Sequence, residues 1–369
     1  MEKESKIYLA GHLGLVGSAI LKVFKSKGYQ NVIGKSISEL NLMDTVAVNE
    51  FFSAEKPEYV ILAAAKVGGI LANNTFRGQF IYENLMIQNN VIDCAYRHKV
   101  KKLLFLGSTC IYPRDADQPM SEDALLTGPL EYSNEPYAIA KIAGIKLCES
   151  YNIQYGTNFI SVMPTNLYGP NDNFDLKNSH VLPALLRKIY LGKCLEEGNW
   201  EDIEKDIEKR PLGGLNTTKK EDSKESVILL LKKYGISLHD DNSGKQVVRV
   251  EIWGTGKPMR EFLWSEEMAE ACVFLMENID FKDLISQSCE IKNTHINIGT
   301  GKEVSIERLA FCIKESIGFK GVIVFNHSKP DGTMRKLTNP TKLHSLGWHH
   351  KIELVEGIQK LYDWYLKSE

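Results

Sequence analysis

The sequence contains no uninterrupted apolar run long enough to cross a bilayer, which argues against a membrane-spanning helix. It also lacks the pattern of a secretory signal, because Met1-Glu-Lys-Glu-Ser-Lys6 is charged and runs straight into an apolar strand. Charge of one sign is not in excess: 45 Lys and Arg stand against 47 Asp and Glu, a formal net charge of −2. No general surface for nucleic acid or an anionic membrane is therefore expected. Cysteine is sparse and unpatterned. Seven residues, an odd number with no Cys-x-x-Cys, form neither a disulfide framework nor a zinc site. Together these absences describe a reduced, cytoplasmic protein without a metal centre. Apolar residues, by contrast, make up 43% of the 369 positions, enough for a sizeable core in two lobes.

The first strand, Ile7-Tyr-Leu-Ala10, leads into Gly11-His-Leu-Gly14-Leu-Val-Gly17 and a helical run over 18–27. Glycine at these places permits a tight turn and lets backbone approach a pyrophosphate, which then rests at the helix start. Gly11, Gly14, Leu15, Val16 and Gly17 are thus candidate dinucleotide-binding residues. Val32-Ile33 reads as the second strand, and the residues after it meet the adenosine ribose in such folds. No acidic residue stands at its end to take a 2′-hydroxyl; Lys35 and Ser36 stand there instead, which favours a 2′-phosphate. Asn41 and Leu42 are placed to flank the adenine. Tyr59-Val-Ile-Leu-Ala-Ala-Ala65 reads as a third strand, and the small residues Ala63, Ala64 and Ala65 would let a cofactor lie across it. Lys66-Val-Gly-Gly-Ile70 follows as a loop, and a helix over 82–98 leads to the apolar strand Leu103-Leu104-Phe105-Leu106. Strand and helix alternate, so the expected fold is α/β with a doubly wound parallel sheet. Ligands bind such sheets at the carboxyl ends of the strands.

Gly107-Ser108-Thr109-Cys110-Ile111-Tyr112-Pro113 follows that last strand directly. Tyr137 and Lys141, four apart in a helical stretch, project from one helix face. A hydroxyl at a strand end with a phenol beside an ammonium is the equipment of a carbonyl reductase. A nearby cation favours the phenolate, so Tyr137 can exchange a proton with a nascent alkoxide near neutral pH.

These residues give the chain its resemblance to the extended short-chain dehydrogenase/reductase family. More narrowly, the sequence resembles the GDP-L-fucose synthase family of GDP-4-keto-6-deoxy-mannose epimerase/reductases. The stretches that carry this are Ala10-Gly-His-Leu-Gly-Leu-Val-Gly-Ser-Ala-Ile20, Leu62-Ala-Ala-Ala-Lys-Val-Gly-Gly-Ile70 and Asn134-Glu-Pro-Tyr-Ala-Ile-Ala-Lys141, besides the Ser108 segment. Further on come Ser161-Val-Met-Pro-Thr-Asn-Leu-Tyr-Gly-Pro170, Asn178-Ser-His-Val181, Trp253-Gly-Thr-Gly-Lys-Pro-Met-Arg-Glu-Phe262 and Ser328-Lys-Pro-Asp-Gly-Thr333.

The resemblance implies an NADP-binding Rossmann domain over residues 1–168, with 261–300 returning to it. It implies a smaller nucleotide-sugar lobe over 169–260 and 301–369. Ser108, Tyr137 and Lys141 become the reductase triad. Cys110 and His180 match the acid–base pair of C3/C5 epimerisation, chemistry that suits a thiol and an imidazole because both titrate within reach of neutrality. Pro164, Asn166, Leu167 and His180 join the NADP(H) site, with NAD(H) not excluded. A GDP-linked 4-keto sugar would meet Ser108, Thr109, Cys110 and Asn166. Its diphosphate would meet Arg187 or Lys188 and Arg260, and its nucleoside Trp253, Lys329 and Asp331. A homodimer pairing the helices over 82–98 and 137–155 is expected by the same analogy.

Two departures stand out. Leu13 replaces an arginine that family members use toward the 2′-phosphate, leaving Lys35 to compensate. Residues 194–246 form an insertion, charged and irregular, with short helices over 199–209 and 223–234. In the second of these, Val227, Leu230, Leu231 and Tyr234 form an apolar stripe that Gly235 can end. An insertion at this place would remodel the sugar pocket and admit a 4-keto-heptose in place of a hexose. The rival readings are a dedicated C4 reductase, a C4 epimerase or 4,6-dehydratase, and a cofactor-sensing protein. A dehydratase needs an acidic pair where Thr109-Cys110 stands, and a sensing protein would have lost Tyr137 or Lys141.

Overall fold

All four residues of β1 (Ile7–Ala10) are buried, so this strand must be covered on both faces. The computed structural model, which describes residues 1–213, 224–240, 243–285 and 290–367, shows how. The chain runs on through α1 (Leu15–Ser26), β2 (Val32–Ile33), α2 (Thr45–Glu55), β3 (Tyr59–Leu62), α3 (Ile70–Thr75) and α4 (Arg77–Arg97). Then come β4 (Lys102–Leu106), α5 (Glu135–Tyr155), β5 (Phe159–Pro164), β6 (Asn166–Tyr168), α6 (Val181–Glu197), α7 (Trp200–Lys209) and α8 (Lys224–Lys233). The remainder comprises β7 (Ile236–Asp240), β8 (Gln246–Trp253), β9 (Met259–Trp264), α9 (Ser265–Asn278), β10 (Ile296–Ile298) and β11 (Glu303–Ser305). It ends with α10 (Ile306–Ile317), β12 (Val322–Asn326), β13 (Arg335–Lys336), α11 (Thr341–Ser345) and α12 (Leu354–Lys367).

The chain divides into two compact units, the first comprising residues 1–171, 261–302 and 336–351. Its centre is a six-stranded sheet in the order β10-β5-β4-β3-β1-β2, parallel throughout. Alternation along β1 sorts its side chains between two cores. Ile7 and Leu9 pack with Ile20 and Phe24 of α1 and Met268 and Cys272 of α9. Tyr8 and Ala10 pack with Phe52 of α2, Val91 and Ile92 of α4 and Ile145 of α5. The expected doubly wound parallel sheet is present. Two boundaries differ from expectation. Helix α1 starts at Leu15, directly after the loop, and β3 stops at Leu62. Ala63 makes one more bond, to the Ala10 carbonyl, before the chain turns beneath the glycine loop.

The second unit comprises residues 172–260, 303–335 and 352–369. Here β8 lies between β12, parallel to it, and β7, antiparallel. Residues 336–351, expected in this lobe, belong to the first unit. They are held there by a Met120–Thr338 bridge and by bonds from Leu337 N to Gln118 and from Asn339 N to the Met120 carbonyl. At the start of the expected insertion, α6 continues to Glu197 with Cys194 and Leu195 buried, and ends at Gly198. Both helices expected in it form, and Val227, Leu230 and Leu231 bury the apolar stripe of α8.

The excursion is welded to its unit by buried charge. Arg187 of α6 and Asp206 of α7 are both fully buried and approach to 2.7 Å. Arg187 also donates to the carbonyls of Phe174 and Arg210, while Arg210 and the Tyr365 hydroxyl of α12 reach the same Asp206 carboxylate. Removing one partner of such a pair strands the other charge in a low-dielectric interior. Asp206→Ala is therefore expected to cost about 3–5 kcal/mol in denaturant unfolding of the full chain. A loss below about 1 kcal/mol, the range of exposed pairs, would refute the weld.

Candidate active site

The glycine loop is shaped by close approaches that only hydrogen tolerates. Gly11 has φ +86°, and a Cβ on it would lie 2.7 Å from Ala64 N. A Cβ on Gly17 would lie 2.0 Å from the Gly11 carbonyl oxygen. The loop therefore folds tightly onto Ala63 and Ala64 and delivers Leu15, Val16 and Gly17 as the first turn of α1, whose amides lack intrahelical acceptors. This is the geometry that accepts a pyrophosphate. Around it, Lys35 pairs with Glu39 at 3.8 Å, Leu42 accepts from Asn90 of α4, and exposed Asn41 caps the turn at Met43 N. Ala65 follows Ala63 and Ala64 out of the sheet. Pro164 closes β5, and β6 begins at Asn166, whose amide donates to the Glu261 carbonyl while Leu167 packs against the first core. Gly11, Ala63 and Pro164 thus all stand at the carboxyl ends of strands of one parallel sheet.

The same edge holds the residues expected to carry reduction. Ser108 follows β4 and caps a short 3-10 turn, Thr109–Ile111, accepting from Cys110 N at 3.4 Å. Helix α5 is pressed onto β4 at Gly144, where a Cβ would meet the Phe105 ring at 2.4 Å. The Gln88 amide of α4 reinforces it by donating to the Ala140 carbonyl. That closeness lets the Lys141 ammonium donate to the Leu106 carbonyl at 2.8 Å, with its Nζ 5.7 Å from the Tyr137 ring centre. Burial pushes the Lys141 pKa down to about 8, opposed by the nearby Cys110. Tyr137 departs from expectation. Its pKa lies above the ordinary value, first through burial and then through Cys110, and the phenol stays protonated.

Cys110 is 5% exposed. Burial raises its pKa, while Lys336, the Ser108 hydroxyl and Lys141 pull it down. Lys336 was not singled out from the sequence, although it stands three residues past Ser328-Lys-Pro-Asp-Gly-Thr333. Glu261 was missed too, despite lying beside Arg260. Its buried carboxylate accepts from Thr300 N, Gly301 N, Thr338 N and the Thr338 hydroxyl at 2.6–2.9 Å. It thereby fixes the segment that carries Lys336. Below Cys110, Tyr112 donates to Asn297 at 2.5 Å and lies 3.1 Å from His295 Nε2.

In the second unit His180 caps the start of α6, and desolvation holds its pKa below the ordinary value. Arg187 is corrected. Its guanidinium is spent on Asp206 and two carbonyls inside the core and has no freedom to hold a diphosphate. Lys188, one residue on, donates to the Glu251 carbonyl, and burial brings its pKa to about 8. The excursion touches this lysine: a Cβ on Gly235, at φ +78°, would lie 2.9 Å from Lys188 Nζ. Burial likewise lowers the Arg260 pKa, and Gly332 lies against its guanidinium. Trp253 is exposed under the Lys329 ammonium, which sits 5.1 Å above the ring. Asp331 accepts from the amide and hydroxyl of Thr255, so its carboxylate first of all shapes that turn.

A lysine depressed to about 8 binds fewer protons in the folded chain than in the unfolded one between pH 8 and its ordinary value of 10.5. Stability contributed at this site therefore rises with pH across that window. Denaturant titrations of cofactor-free wild type and Lys141→Met are expected to show the wild type gaining on the variant from pH 8 upward. A constant difference would mean that the ammonium is solvated.

The model of the NAD dependent epimerase/dehydratase family matches residues 7–208 and 234–299, breaking off inside the excursion. GDP-L-fucose synthase 1 of Arabidopsis thaliana is 47% identical over 367 residues, spanning 100% of this chain and 95% of that protein. Among solved structures, a GDP-6-OMe-4-keto-L-xylo-heptose reductase from C. jejuni is 48% identical, with a TM-score of 0.90 over 100% of this chain and 99% of that one. MlghC, a GDP-mannoheptose C4 reductase from Campylobacter jejuni with NADP bound, is 47% identical, with a TM-score of 0.85 over 99% of each chain. With its glycine loop, its serine–tyrosine–lysine edge and these likenesses along the whole chain, the protein belongs to the GDP-L-fucose synthase family of NAD-dependent epimerases/dehydratases.

Proposed function

We propose that this enzyme reduces the C4 ketone of a GDP-linked 4-keto-heptose with NADPH. The observation that carries the reading is the convergence of Ser108, Cys110, Tyr137 and Lys141 at one strand edge beside the glycine loop. NADPH, when bound, supplies the hydride. Tyr137, protonated in its buried setting, gives its proton to the developing C4 oxygen, and Ser108 donates a hydrogen bond to that oxygen. Lys141 holds the nicotinamide ribose and supplies positive charge beside the phenol. Lys188 and Arg260 of the second unit hold the diphosphate, and Trp253 lies against the guanine. The heptose, rather than a hexose, is supported by the two heptose reductases, each matching about the whole chain at 47–48% identity.

Epimerisation at C3 and C5 is the second activity this residue set supports. Cys110 rests as a thiol and His180 as a neutral imidazole, one group able to give a proton and one able to take it. Turnover of GDP-4-keto-heptose and GDP-4-keto-6-deoxy-hexose with NADPH in deuterated water separates the readings. The heptose is expected to be the better substrate; deuterium at C3 and C5 of the product would assign the epimerase step to this chain, and its absence a dedicated C4 reductase. A strong preference for the hexose would refute the heptose assignment.

The enzyme acts as a cytoplasmic homodimer on this reading. The six cysteines among the described residues are free thiols, and no helix among those residues is long and apolar enough to cross a membrane. Helices α4 and α5 leave Tyr82, Ile139, Ile153 and Tyr155 exposed, apolar faces suited to pairing with a second copy. Light scattering should return twice the chain mass of 41.7 kDa; a monomer at micromolar concentration would count against the pairing.

A further inference from the structure

The excursion returns to the sheet of the second unit through one tight turn, and that turn lies against Lys188. Helix α8 ends as Tyr234 N donates to the Leu231 carbonyl and Gly235 N to the Lys232 carbonyl, both at 3.0 Å. Gly235 takes φ +78°, the left-handed conformation that glycine adopts without strain. The chain then enters β7, where Ile236, fully buried, pairs with Val250 of β8. The Gly235 carbonyl accepts from Glu251 N at 2.7 Å. The backbone of the turn is thereby fixed from both sides.

Lys188 comes to the same spot from α6. Four residues on, Gly192 lets that helix approach β8, since a Cβ there would lie 2.8 Å from the Val250 side chain. Lys188 shares this face of the helix, and its ammonium donates to the Glu251 carbonyl. A Cβ on Gly235 would stand 2.9 Å from Lys188 Nζ and 3.1 Å from Glu251 Cβ. The bare glycine therefore leaves the room that the ammonium uses. Glu251 is held in turn by Asn326, whose amide donates to its carboxylate at 2.9 Å, and it lies two residues before Trp253 on β8. Burial brings the Lys188 pKa to about 8, opposed by the charge of Glu251, so the group is an ammonium at pH 7. Desolvation makes such a cation a stronger partner for an anion than one in open water.

We propose that Gly235 is a positioning residue for the nucleotide sugar: the turn of the excursion holds the Lys188 ammonium on the Glu251 carbonyl, where it meets the diphosphate. The inference rests on the reading of Lys188 as a diphosphate-binding residue, and adds that the excursion reaches the substrate through it. The test is calorimetric titration of full-length wild type, Gly235→Ala, Lys188→Met and the double variant with GDP, and with guanosine as the phosphate-free control. Lys188→Met is expected to weaken GDP about tenfold, the scale of one charge-assisted hydrogen bond. Gly235→Ala should weaken GDP several-fold by displacing the ammonium, and should add nothing in the Lys188→Met background. Guanosine should bind all four proteins alike. In turnover with NADPH, the Gly235→Ala loss should fall on the KM for GDP-4-keto-heptose and not on kcat. Gly235→Asn carries the same Cβ on a residue that tolerates left-handed backbone, so the comparison survives if the alanine variant folds poorly. Unchanged GDP affinity in both Gly235 variants, or an equal loss in the Lys188→Met background, overturns the proposal and leaves the role of the lysine standing. A Lys188→Met variant that binds GDP as wild type does overturns that role and the proposal with it.

Discussion

One charged hydrogen bond, from the Lys141 ammonium to the Leu106 carbonyl, is the constraint on which the catalytic edge depends. An ammonium is buried at a cost that only a well-placed acceptor offsets, and the carbonyl at the end of β4 is that acceptor. Reaching it requires α5 to lie against the strand, which the missing side chain of Gly144 permits and the Gln88–Ala140 bond reinforces. Once the helix is that close, Tyr137, one turn earlier, and the Ser108–Cys110 turn share a single small volume. The residual cost of burial appears as a lysine whose pKa falls to about 8. Site and fold are coupled here. The ammonium that anchors the helix is also the charge assigned to the proposed chemistry.

The second unit separates those two uses between neighbours. Arg187 and Lys188 are successive residues of α6, about 100° apart around the helix. Arg187 points into the core and is consumed by Asp206. Lys188 points toward Gly235 and donates to the Glu251 carbonyl. The helix alone leaves the choice between them open, because both neighbours carry the same charge. The decision is made by Asp206, nineteen positions downstream in α7, a carboxylate whose burial is visible only in the folded chain. It also makes the excursion part of the scaffold, since α7 provides the counter-charge for α6.

What could be read in advance follows the same division between local and distant causes. The glycine loop, the parallel sheet and the Tyr137–Lys141 spacing are written in short windows, where turn geometry, strand burial and helical period act on adjacent residues. The stripe Val227, Leu230, Leu231 with Gly235 behind it was legible for that reason. Lys336 and Glu261 were not. Each enters the site because the chain returns to the first unit after long detours, and the bridge from Thr338 to Met120 that brings Lys336 home has no signature within either segment.

The protonation states within the first unit also bear on which chemistry it favours. Burial raises both Tyr137 and Cys110. For the phenol this is an advantage in reduction, because the step needs a proton donor that is still loaded when hydride arrives. For the thiol it is a handicap in epimerisation, because abstraction of a C3 or C5 proton needs the thiolate. Two cations, Lys336 and Lys141, oppose the desolvation of Cys110 and do not overcome it. The same dry edge that keeps Tyr137 charged with its proton therefore withholds a base at Cys110. The environment of this edge keeps both the phenol and the thiol protonated.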